Sequence, residues 1–241
     1  MIRKLFEELK VKRAGLKSPP LSEALYQTLA NNRTLTLAHS KFNVNWLNEC
    51  GITPSLIVDL GSFDGGDSLR FKNAFPSATV LTVEADPERF SIVQANTEAA
   101  GVIVLNRAIC EVNEKVDWFS ARVKSEVQSQ GSMFRHSERY RRRYPFVSQA
   151  DDPIKIEGSR VDTLLETQGL ATPDLLHMDI EGAEYLALKS LGEIRPRLIY
   201  LELRKKLFEG GAEKGATHDL LSTMGYQLLL NLGTDRLYRR V

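Results

Sequence analysis

A chain of 241 residues that is 42% hydrophobic can bury one sizeable core or two small ones, and a formal net charge of +1 gives no overall pull toward nucleic acid or an anionic membrane. The two cysteines, Cys50 and Cys110, lie far apart and without paired metal-site spacing, which argues against a disulfide framework and a structural zinc and leaves two reduced core thiols. The longest apolar runs suit single strands, not a bilayer span, and no signal-peptide core opens the chain, so the cytoplasm is the expected compartment.

Ile2, Leu5, Phe6 and Leu9 share one helical face, with a basic margin from Arg3, Lys4, Lys10, Lys12 and Arg13. That face fits a helix docked on its own domain or on a second copy of the chain, which makes a homodimer one expectation; a membrane-surface helix is the alternative. Ser18-Pro19-Pro20 interrupts it, a second helix is expected over 21–29, and a short one over 44–50. Residues 1–53 are therefore read as a helical extension too short to bury a core alone, and residues 54–241 as the main domain.

After Thr53-Pro54, Leu56-Ile57-Val58-Asp59-Leu60 reads as a buried strand that Gly61, Gly65 and Gly66 break sharply. A helix follows, opening at Asp67 or Ser68, with Leu69, Phe71, Ala74 and Phe75 as its apolar face. Strand, glycine turn and helix start make a cofactor cradle, because the backbone at Gly61 and Gly65 can approach a ligand closely while helix N–H groups face it. The spacing Asp59-x-Gly61-x-x-x-Gly65 lacks the full dinucleotide run, Phe63 standing at one of its small positions, which counts against NAD. Asp64 and Asp67 would repel a pyrophosphate but tolerate a ligand with an amino group and a sulfonium, and S-adenosylmethionine is such a ligand.

A strand over 79–83 ends in Glu84-Ala85-Asp86-Pro87, and an acid about 20 residues beyond the glycine turn can hold ribose hydroxyls, the role expected of Glu84. A helix over 89–100 and a strand over 102–105 continue the alternation of a parallel sheet, and Asn106-Arg107-Ala108 at that strand's carboxyl end borders the adenine. Between about 110 and 157 the alternation breaks, with strands over 116–121 and 154–156 flanking a long polar insertion. There Arg135, Arg139, Arg141, Arg142 and Arg143 interleave with Phe134, His136, Tyr140, Tyr144 and Phe146, a composition able to pair with phosphate and stack on rings. A solvated face, a small anionic acceptor and RNA all fit it, the near-neutral charge setting RNA behind the small acceptor. Gly131-Ser132-Met133 could form a flap.

A helix over 161–167 precedes Pro173-Asp174-Leu175-Leu176-His177-Met178-Asp179-Ile180-Glu181-Gly182-Ala183-Glu184, read as a strand over 175–178, Asp179 at its tip, and a helix through Leu186, Leu188 and Leu191. A strand over 198–203 carries Glu202 near its end, a helix covers 217–224, and 226–230 with 236–240 form an antiparallel hairpin closing the sheet.

The order of Val58-Asp59-Leu60-Gly61-Ser62-Phe63-Asp64-Gly65, Val83-Glu84-Ala85-Asp86-Pro87, Asn106-Arg107-Ala108 and the stretch 174–184 resembles the FkbM-type S-adenosylmethionine-dependent methyltransferases over roughly 56–203. The resemblance implies a class I methyltransferase-like α/β fold with a doubly wound, mostly parallel seven-stranded sheet. It also implies methyl transfer to oxygen, often a hydroxyl on a sugar or natural-product scaffold, with S-adenosylhomocysteine as product. By that similarity Asp59, Gly61, Ser62, Gly65 and Glu84 fall at cofactor positions, with Asp64, Ser68, Ala85, Asn106, Ala108 and Asp179 set beside them. His177 departs from the family, where lysine usually stands.

Methyl transfer to an alcohol needs alignment and one proton acceptor. Asp179 is the first candidate base, Glu181 and Glu184 follow, and His136 joins them if the insertion folds over the pocket. The acids serve equally as helix N-terminal groups, and His177 reads as an interior, hydrogen-bonded imidazole. With Glu202 they could hold a divalent ion, but no spacing signals one and no metal is assigned. Two other functions remain open: an RNA methyltransferase that uses the arginine-rich insertion, and a non-catalytic nucleotide-binding protein.

Overall fold

The computed structural model describes residues 40–204, 207–213 and 215–241. The helices expected over 2–9 and 21–29, and the apolar face on which the homodimer expectation rests, lie outside them. In chain order the elements begin α1 (Asn45–Glu49), β1 (Leu56–Leu60), α2 (Gly66–Ala74), β2 (Thr79–Glu84), α3 (Pro87–Thr97) and β3 (Ile103–Asn106). The middle comprises β4 (Ala108–Ile109), β5 (Lys115–Trp118), β6 (Ala121–Val123), β7 (Glu126–Val127), α4 (Glu138–Arg143), β8 (Ser148–Gln149) and β9 (Ile154–Ser159). Then come α5 (Val161–Thr167), β10 (Leu175–Met178), α6 (Glu184–Lys189), β11 (Leu198–Glu202), α7 (Ala216–Thr223), β12 (Tyr226–Leu232) and β13 (Asp235–Arg240).

Seven strands make one sheet in the order β12-β13-β11-β10-β1-β2-β3. All five residues of β1 are buried, as a central strand covered on both faces requires. The neighbours β3, β2, β1, β10 and β11 pair in parallel, and the hairpin adds β13 antiparallel to β11. One face packs Val58, Leu60, Met178 and Leu201 against Leu164, Leu188 and Leu221. The other packs Ile57, Val80, Leu175 and Tyr200 against Phe42, Trp46, Leu47 and Phe71, so the described part of the expected extension is core of the sheet domain. Among the described residues no helix is long and apolar enough to cross a membrane.

Two expectations need correcting. The cap of α2 is Gly65 in the left-handed region, not Asp67 or Ser68, and the helix buries Asp67, Ser68 and Phe71 while Ala74 is exposed. The strand expected over 116–121 is two, β5 and β6, in different sheets: β5 and β4 flank β9, and β7 and β8 flank β6. Ala121, Tyr140 and Val147 form the insertion's own small core together with Leu207 and Phe208 from the segment after β11. The Ser137 N–H donates to the Leu207 carbonyl at 2.9 Å and the Glu209 N–H to the Arg135 carbonyl at 2.8 Å, tying insertion to sheet.

Candidate active site

The tips of β1 and β10 approach so closely at Gly61 that a Cβ there, at φ +86°, would lie 2.0 Å from the Asp179 carbonyl oxygen. Gly65, at φ +85°, is held by its own neighbours too, since a Cβ would come 2.6 Å from Thr97 Cγ2 of α3. The turn's glycines thus answer to packing within the chain before any ligand. Gly61→Ala is expected to lower stability by roughly 3 kcal/mol, left-handed strain adding to a backbone clash. A thermal midpoint equal to the parent's would contradict that geometry.

The turn is fastened to β2 by Glu84, whose carboxylate accepts from the Phe63 N–H at 2.8 Å and from the Asp86 N–H at 2.9 Å. Burial pushes this carboxyl up to about 7 against the pull of those N–H groups. Asn106 braces the same tip by donating to the carbonyls of Glu84 and Ala85 at 2.8 and 2.9 Å. Ser62 is buried and its hydroxyl has no partner.

A cleft opens over these tips, lined by Gly61, Ser62, Glu84 and Ala85, by Trp118 and Met133 of the insertion, and by Asp179, Glu181 and Arg204. Its enclosed volume is about 140 Å³. That is below the ~300 Å³ at which small-molecule pockets begin; the half-buried Arg89, stacked 4.2 Å over the Phe63 ring, is among the side chains that line it.

Of the expected contacts, Gly61, Ser62, Glu84, Ala85, Asp179 and Glu181 line this cleft, and Asp59, Asp64, Gly65, Ser68, Asn106, Ala108 and His136 do not. Asp59 is fully buried, taking a hydrogen bond from the Ser68 hydroxyl at 2.6 Å and sitting 2.8 Å from His177 Nδ1. Both side chains brace the turn from below. Burial disfavours a charged His177, but the Asp59 hydrogen bond and charge outweigh it and raise the imidazole above its usual value. His177 also stacks flat on Tyr200, whose hydroxyl donates to Asp235 at 2.6 Å. Asp64 accepts the Gly66 N–H at 2.9 Å, and Ala108 is packed with Trp118 and Ile156. His136 is 1% exposed within the insertion, stacked on Tyr140 with 3.7 Å between ring centroids, and burial lowers its pKa.

Asp67, read from the sequence as one of the two acids of the glycine turn, lines the cleft, as does Arg107 of the strand-tip motif; Arg89, Trp118 and Arg204 line it too and carried no sequence signal.

Arg204 of the cleft lining lies among Asp179, Glu181 and Glu202, reaching Glu181 at 3.4 Å and Glu202 at 3.1 Å. Glu181 adopts φ +47°, its carbonyl accepts the Ser132 hydroxyl at 2.7 Å, and its Oε2 is buried without a partner. Burial, then the charges of Glu181 and Glu202, hold the Asp179 carboxyl well above the usual range. Burial lifts Glu181 to about 8 despite Arg204, and lifts Glu184 to about 7. Among the described residues no three or more His, Cys, Asp or Glu side chains stand as a metal-ion site.

Glu84, Glu181 and Glu184 each bind a proton more tightly folded than unfolded, so the stability they lend is full below the ordinary 4.5 and lost as pH rises toward 7 to 8. The thermal midpoint of the ligand-free protein is expected to fall across that window; a midpoint that climbs steadily would contradict the burial of these acids.

The sequence pattern of the methyltransferase FkbM domain matches residues 59–228. The 2-O-methyltransferase NoeI of Sinorhizobium fredii is 30% identical over 173 residues, covering 69% of this chain and 70% of that protein. Methyltransferase 1 of Beauveria bassiana is 24% identical over 147 residues, 58% of this chain and 59% of its own length. Among solved structures, the O-methyltransferase from Bacillus cereus in complex with SAH aligns over 100% of both chains at 12% identity and a TM-score of 0.44. The SAH-bound methyltransferase of Podospora anserina aligns over 99% of this chain and 94% of its own at 10% identity and 0.46.

Proposed function

The chain belongs to the FkbM methyltransferase family, and from that premise we propose that it transfers a methyl group from S-adenosylmethionine to a hydroxyl of a sugar or sugar-like small molecule. The observation that carries the donor assignment is the bond of the Glu84 carboxylate to the Phe63 N–H, which sets a buried acid against the glycine turn at 2.8 Å. Glu84 takes the ribose hydroxyls, the Ser62 hydroxyl supplies a further polar contact, and Asp179, against Gly61, takes the ammonium of the methionine end. Orphaned Ser62 Oγ and the surplus of acid around one arginine both suit a cationic ligand that brings donors of its own.

Bound S-adenosylmethionine supplies a methyl group already activated for displacement. The chain's part is alignment and one proton. Glu181 is our choice for the proton acceptor, because its free Oε2 is buried beside Arg204 and its elevated pKa matches a base working near neutral pH. Arg204 then balances the carboxylate before transfer. Asp179, the first expectation for the base, is assigned instead to the donor, because its main-chain carbonyl abuts Gly61 and the residue lines the cleft over the glycine turn.

The arginine-rich segment gives less support to RNA. Arg142 pairs with Glu138 at 2.8 Å and Arg141 donates to the His136 carbonyl, while His136 and Tyr140 are buried and cannot stack on bases. The test is incubation with methyl-labelled S-adenosylmethionine and fractionated cell extract. Base-stable label in a low-mass carbohydrate fraction is the expected result; label confined to RNA, or a base-labile ester, would reject this reading.

A further inference from the structure

A second cavity of about 590 Å³ lies on the other side of the turn 181–184 from the donor cleft. That turn serves both spaces, Glu181 and Ala183 lining the cleft, Gly182 and Glu184 the second cavity. Arg204 lines both. The cleft covers the tips of β2, β1 and β10, and the cavity continues the series over β10, β11 and the closing hairpin, through Leu203, Leu228 and Tyr238.

From this placement we infer that the second cavity is the acceptor site and that it takes a pyranose sugar; the inference rests on the methyl-transfer reading above. The volume falls within the ~300–1,000 Å³ of small-molecule sites. Tyr185, Phe208 and Tyr238 give its walls aromatic surface, against which the C–H faces of a sugar ring can pack. Between them stand the buried carboxyl of Glu184 and the imidazole of His218, the latter 3.2 Å from the Tyr238 hydroxyl, as partners for hydroxyls.

The described walls carry groups of both signs. Of the two guanidiniums in the described lining, Arg204 is paired with the carboxylates of Glu181 and Glu202, whereas Arg236 donates to the neutral carbonyls of Gly233 and Asp235. Glu184 and Glu213 add acid to the same walls. A neutral polyol satisfies the polar groups with no charge to desolvate. A hydroxyl of the sugar directed at Arg204 stands at the boundary with the donor cleft, next to Glu181.

Tyr185 is half-buried and His218 exposed, so both tolerate truncation without loss of the core. Saturation-transfer NMR with the full chain, S-adenosylhomocysteine, and a panel of methyl glycosides of hexoses and 6-deoxyhexoses tests the site. At least one glycoside is expected to receive saturation from the parent, and Tyr185→Ala and His218→Ala each to weaken its binding by about tenfold. S-adenosylhomocysteine affinity, followed by calorimetry, stays within about twofold in both variants. No transfer to any glycoside with S-adenosylhomocysteine bound, or transfer undiminished in both variants, overturns the acceptor site. Failure of the parent to bind S-adenosylhomocysteine is a separate result that overturns the donor reading itself.

Discussion

Glu84→Ala is expected to weaken S-adenosylhomocysteine binding by about 100-fold, the largest donor effect of any single side chain. Two charge-assisted hydrogen bonds to ribose hydroxyls, each at the low end of ~1.5–3 kcal/mol, set that scale. The variant loses a second thing as well, because the same carboxylate holds the Phe63 and Asp86 N–H groups and so fixes the turn against β2. Glu84→Gln separates the contributions: one amide oxygen still accepts, yet the negative charge is gone, so an intermediate loss is expected. Calorimetry across pH adds a sign. The carboxyl sits at about 7 in the ligand-free protein, and accepting two hydroxyls favours its ionised form, so affinity should rise from pH 6 to 8 and flatten above. Parent-like affinity in Glu84→Ala would remove the ribose assignment.

Glu181→Gln is expected to lower kcat by a factor of about 10²–10⁴, the range for loss of a general base, while donor affinity changes little. The amide keeps the size of the side chain but cannot take the hydroxyl proton. In the parent, kcat should climb with pH until it passes the Glu181 pKa, about 8 in the unliganded chain, since only the carboxylate is the base; in Glu181→Gln that limb should vanish. Donor affinity and kcat would fall together if Glu181 served to hold the cofactor instead.

Much of this fold was legible as sequence. Leu175–Met178 and Val161–Thr167 form with the expected bounds, the first set off by Pro173-Asp174 and by Asp179, the second by an apolar face at helical spacing. Asp174 itself accepts the Ser55 N–H at 2.7 Å, so the residue that closes one strand also secures the start of its neighbour. The site was less legible, because burial within a sheet depends on strand order. Asp59 and His177 stand opposite one another in the register of β1 and β10, 118 positions apart, and nothing local in either segment reveals that partnership. Without it Asp59 reads as a ligand contact. Arg204 was missed for a similar reason: it meets Glu181 only because β10 and β11 lie side by side. The insertion concealed its order in another way, since β7 and β8, two residues each, are too short to show an alternation.

A crystal structure of the full chain with S-adenosylhomocysteine tests the donor site directly. The ribose hydroxyls are expected within about 3.2 Å of the Glu84 carboxylate, the adenosyl group over the tips of β2 and β3, and the ammonium beside Asp179. An adenosyl group lodged among Tyr185, Phe208 and Tyr238, or a Glu84 that touches no part of the ligand, would contradict the account.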